Sequence, residues 1–127
     1  MSKAQELQEL VARGEARPDL TTPSTQGLAW LLRHREHWPK GFVWTYTHCT
    51  GCAMGLAHRL WGQFWPREPS SNEGYVAFVS AVLSMDHRES WNIFEGLRDR
   101  NDGLWDVAPD QVADALDIYL LRQENRA

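Results

Sequence analysis

The sequence predicts a single, mainly α-helical domain of five or six helices with a minor two-stranded β element. Three observations carry this. Apolar residues recur at intervals of three and four along most of the chain, helix-start signals stand before several of these stretches, and one short run alternates with period two beside one other β-like run. The 127 residues, 43% of them hydrophobic and including seven Trp, supply enough apolar surface for one core without disulfides or a structural metal.

Residues 3–16 place Leu7, Leu10 and Val11 at helical spacing among Glu, Gln and Arg, and Arg17-Pro18 ends the pattern. Residues 1–20 therefore read as a peripheral first helix. Thr21-Thr22-Pro23-Ser24 offers cap residues for a second helix built on Leu28, Trp30, Leu31 and Leu32, which Trp38-Pro39 stops. From Phe42 to His48 the pattern changes. Phe42, Trp44, Tyr46 and His48 alternate with Val43, Thr45 and Thr47, the signature of a strand. A lone strand leaves its backbone unsatisfied, and the one other short β-like run is Leu104-Trp105-Asp106-Val107, so the two are expected to pair.

A third helix is expected over 50–62, with Ala53, Leu56, Ala57 and Leu60 on its apolar face and His58 and Arg59 turned away. Pro66 and Pro69 mark a loop, and Ser70 with Glu73 has the spacing of a capping box for the fourth helix. Tyr75, Val76, Phe78, Val79, Val82 and Leu83 cover most of that helix, which is expected to be the most buried. Asp86 with Glu89 opens a fifth helix carrying Trp91, Ile93, Phe94 and Leu97, closed by Asn101-Asp102-Gly103. Pro109 suits the first turn of a last helix with Val112, Ala113, Leu116, Tyr119 and Leu120 inside. Residues 123–127 are expected to fray. No repeat or linker divides residues 1–127 into separate domains.

Charge and hydropathy narrow the function classes. Thirteen Lys and Arg against 17 Asp and Glu give a net charge of −4, and no basic stripe exists to follow a phosphate backbone, which disfavours direct nucleic-acid binding. The longest nearly apolar run, Tyr75 to Leu83, is about half of the roughly 20 residues needed to span a bilayer. No membrane segment, signal peptide or lipidation motif is expected, and the chain reads as cytoplasmic, with Cys49 and Cys52 reduced unless catalytic or metal-bound.

His48-Cys49-Thr50-Gly51-Cys52 is the densest chemical candidate. A Cys-x-x-Cys pair at a helix start is placed where free amides and the helix dipole stabilise a thiolate, and two vicinal thiols at this spacing can close a disulfide. His48 is the nearest proton partner. The βαβ frame of thioredoxin-like proteins cannot be assembled from the surrounding segments. A zinc site would need His48, His58, or His34 with His37 to complete the two sulfurs, yet His58 lies about 180° around a helix from Cys49. A second cysteine pair is absent, and no metal or other cofactor is assigned. A cysteine hydrolase would need a distant base such as His87. The simplest alternative makes Cys49 a small buried hydrophobe beside Ala53 and Leu56, with Cys52 near the edge of that stripe.

Two surface features remain. Asp110, Asp114 and Asp117 recur along the polar side of the last helix, a stripe suited to a basic partner surface, the ordinary alternative being a merely solvated face. Trp61 and Trp65, beside Phe64, are candidates for an aromatic patch that anchors another protein, with core packing the default reading for each. Asp99-Arg100-Asn101-Asp102-Gly103 fails as a calcium loop, because aligning Gly103 with the loop's glycine puts Arg98, Arg100 and Pro109 at ligand positions.

Cys52-Ala53-Met54-Gly55-Leu56-Ala57, Ser90-Trp91-Asn92 and Pro109-Asp110-Gln111-Val112 together are similar to small bacterial and phage proteins in which a Cys-Ala-x-Gly helix precedes a Trp-Asn segment and a last helix beginning at Thr or Pro. The sequence departs from them where Ile93-Phe94, not an acidic turn, follows Trp-Asn. The resemblance implies a compact, helix-rich fold and brings no activity. The expectation is a soluble module that contacts another protein, the competing reading being a thiol-redox or cysteine-dependent enzyme using Cys49 and Cys52.

Overall fold

A computed structural model describes residues 18–45, 51–96 and 107–126. Five α-helices lie among them: α1 (Thr25–Leu32), α2 (Ala53–Trp61), α3 (Asn72–Val82), α4 (His87–Phe94) and α5 (Pro109–Arg126). Short 3-10 turns follow α1 at Arg35–His37 and α2 at Gly62–Phe64. The expected first helix, residues 3–16, lies outside the described residues, so the count here is five. No described helix is long and apolar enough to cross a membrane.

Local sequence sets three of the helix starts. Ser24 is extended and its hydroxyl accepts from the Gly27 N–H at 2.9 Å. Asp86 accepts from both Arg88 and Glu89 N–H groups, satisfying two of the amides a helix start leaves without partners. At α3 the cap is Ser71, whose hydroxyl accepts from Gly74 N–H. The expected box at Ser70 and Glu73 is thus displaced by one residue. A cap accepts from an amide two or three residues on, and starting at Ser71 brings Gly74 to that position.

The end of α3 is a Schellman turn: Met85 N–H donates to Ser80 C=O at 2.9 Å and Ser84 N–H to Ala81 C=O at 3.4 Å. Ser84 takes the left-handed conformation that glycine usually fills there, with φ of 55°.

The core gathers inner faces from all five helices. The leading packing is α1 on α5, joined by α3 against both α2 and α4. Seven of the eight α1 residues are buried, Leu28, Leu31 and Leu32 completely. That corrects the expectation that α3 would be most buried, since only Tyr75, Val76, Phe78 and Val79 of its eleven residues are. The reason is position: α1 is enclosed by the long α5, while α3 leaves Glu73 and Ala81 in solvent.

Among the described residues there is no strand. Where 42–48 and 104–107 were expected to pair, Phe42 N–H donates to Pro39 C=O and Thr45 N–H to Gly51 C=O, turn-like bonds in place of a ladder. The two segments nevertheless meet through a side chain, the Trp44 indole N–H donating to Val107 C=O at 2.8 Å. Residues 46–48 and 104–106 lie outside the described residues. The alternating rings pack one by one, Phe42 edge-on to Trp38 at 5.4 Å and Trp44 tilted against it at 5.9 Å. Two further boundaries differ from expectation. The second predicted helix already ends at Leu32, and the helix expected over 50–62 begins at Ala53.

Candidate interaction surface

α5 carries the surface with most chemical content. Val112, Ala113 and Leu116 point into the core and are fully buried, with Tyr119 nearly so. The opposite side presents Asp114, Ile118, Leu121 and Arg122 to solvent, with Ile118 51% and Leu121 59% exposed. Residues three and four apart on a helix are neighbours, so these two aliphatic side chains form one continuous apolar spot. Val43, Phe64 and Trp91 are also exposed, but on separate elements, as scattered apolar surface residues usually are.

The acidic stripe is partly used within the fold. Arg33, immediately after α1, reaches Asp114 and Asp117 at 2.7 Å each. Partial burial works against the Arg33 charge, but hydrogen bonds and charge from Asp117 and Asp114 outweigh it and raise its pKa above the ordinary guanidinium value. One guanidinium bridging two carboxylates therefore ties the end of α1 to α5. Asp110 stands apart from this clamp, exposed in the first turn, where its charge favours the helix N-terminus. The stripe expected to serve a partner is thus largely a structural tie, with Asp114 still 71% exposed beside Ile118.

The aromatic anchors resolve differently. Trp61 is 0% exposed and its indole N–H donates to Leu20 C=O at 2.8 Å, so it belongs to the core and not to a surface patch. Its large apolar area outweighs its place at the helix end. Trp65 is half-buried, edge-on to Phe78 at 6.1 Å. Of that cluster Phe64 alone is well exposed.

Cys52 is the residue before α2 and is buried as a thiol within the core, 3% exposed, where the sequence placed it near the edge of the apolar stripe. The helix begins three residues later than expected, with Cys52 as its N-cap, and the chain before it is buried: Thr45 packs on Gly51 so closely that an added Cβ would fall 2.3 Å from the threonine methyl. His48 and Cys49 lie outside the described residues.

His34 and His37 both contact Trp30, His34 stacked at 4.1 Å and His37 tilted at 5.1 Å. His34 Nδ1 lies 2.6 Å from Trp30 C=O, which can only accept, so Nδ1 carries a proton. His58 packs edge-on to Tyr75 and Phe78 of α3 instead of turning to solvent. Among the described residues no group of three His, Cys, Asp or Glu side chains stands close enough to hold a metal ion.

No protein-family model, curated protein or solved structure matches the chain.

Sequence reasoning missed Ile118, Leu121 and Arg33. A signal for the first two was present: Ile118-Tyr119-Leu120-Leu121 is a four-residue apolar run, and four consecutive helical positions span more than one face. Arg33 offered none, because its partners lie 81 and 84 positions away.

Proposed function

We propose that this chain is a small cytoplasmic protein-interaction module that engages another protein through the outward face of α5. The observation that carries the reading is the exposure of Ile118 and Leu121 on a helix whose opposite face already fills the core. Two adjacent aliphatic side chains gain by leaving water, about 25 cal/mol for each Å² covered. Flanking Asp114 and Arg122 give such a contact orientation and selectivity. Of the residues first considered for binding, Asp110 and Asp114 border this face; Asp117 faces Arg33 and Trp61 the core. The resemblance to small bacterial and phage proteins adds no activity to this reading.

The competing thiol chemistry is less well supported, because a thiolate nucleophile needs an accessible, electropositive setting and Cys52 is enclosed. The test immobilises the full chain and compares proteins captured from a native extract by the natural sequence and by Ile118→Lys combined with Leu121→Lys. Specific partners should be lost from the variant while its melting temperature stays unchanged. Equal capture by both would refute the assignment of this face.

A further inference from the structure

We propose that the outward face of α5 pairs with the same face of a second copy of this chain, the two helices antiparallel about a two-fold axis passing near Ile118. This rests on the reading of α5 as an interaction face and specifies what covers it. The argument is the order of charges along one exposed ridge. Asp114 lies four residues before Ile118 and Arg122 four residues after, all three exposed. Each four-residue step is about 6 Å along a helix axis. A two-fold axis at Ile118 reverses the order in the second copy, so Asp114 of each chain stands level with Arg122 of the other and Ile118 meets its own copy. A parallel arrangement would set like charges level with one another, which selects against it.

A closed, isologous pair of this kind is the commonest way soluble chains associate, and it buries the same residues on both copies. Arg33 leaves Asp114 available: its contact is to Oδ1 alone, and the carboxylate is otherwise open to solvent. α5 has 18 residues, so a single helix pair gives a contact at the small end of stable interfaces and a weak, concentration-dependent dimer.

The experiment is analytical ultracentrifugation of the full chain over a micromolar to millimolar concentration series, at low and high salt. The natural chain should pass from monomer to dimer as concentration rises, and added salt should weaken the dimer. Ile118→Lys should remain monomeric with an unchanged melting temperature. Arg122→Glu, which sets two carboxylates level, should weaken association about three- to ten-fold, while Arg122→Lys retains it. A natural chain that stays monomeric throughout, or a dimer indifferent to Ile118→Lys, overturns the self-pairing. If the chain is monomeric yet the lysine variants still lose a captured partner, self-pairing fails and the interaction reading stands.

Discussion

Replacing Arg33 by Met tests the tie between the two ends of the fold while keeping most of the apolar stem that covers its surroundings. Arg33 makes two contacts of 2.7 Å, to Asp114 and Asp117, and its side chain is 33% exposed. Exposed ion pairs contribute roughly 0.2–1 kcal/mol apiece, but here both share a single immobilised arginine, so the entropy of ordering it is spent once. The expected loss for Arg33→Met is therefore about 1–2 kcal/mol, which for a domain of this size lowers the melting temperature by roughly 3–10 °C. The assay is thermal unfolding followed by circular dichroism, in a double-mutant cycle with Asp117→Asn. Arg33→Met and Asp117→Asn together should be less harmful than the sum of the two alone by roughly 0.5–1 kcal/mol, and the difference should shrink at high salt. Strict additivity, or a melting temperature unmoved by Arg33→Met, would refute the clamp.

Ser84→Gly should stabilise the protein by about 1 kcal/mol, because the left-handed turn after α3 holds a serine at φ of 55°; denaturant titration reads the midpoint, and a lower midpoint contradicts the argument. Ser71→Ala should cost about 1 kcal/mol through its lost cap while Ser70→Ala costs little, so equal effects in the same titration would return the cap to the register read from sequence. In a Cys49→Ser background, Cys52 should react with an aromatic disulfide reagent only as fast as the protein opens. Labelling at the rate of a small free thiol would place the sulfur at the surface.

What the sequence disclosed was what neighbouring residues decide. Ser24, Asp86 and Pro109 announce α1, α4 and α5 because a cap involves residues within three positions of each other. The displaced cap at α3 shows the limit: Ser70 and Ser71 are adjacent, and the choice between them depends on which amide finds an acceptor. The alternation from Phe42 onward misled because extended backbone shows period two whether or not it pairs, and here the rings dock singly while Trp44 reaches Val107 by its indole. Among the site residues, Asp110, Asp114 and Asp117 were legible as a stripe, but their arginine was not, since its identity depends on tertiary placement. Cys52 was placed too near the surface, and the choice for Trp61 between core and patch stayed open, for the same reason: position on a helical wheel does not reveal what packs against it.

The embrace of α1 by α5 bears on biosynthesis. Arg33 and Asp114 are 81 positions apart, so at roughly 5–20 residues per second a ribosome needs about 4–16 s to follow the most enclosed helix with the one that encloses it. During that interval Leu28, Leu31 and Leu32 have no native cover from α5, a window in which a nascent chain either engages a chaperone or risks aggregation.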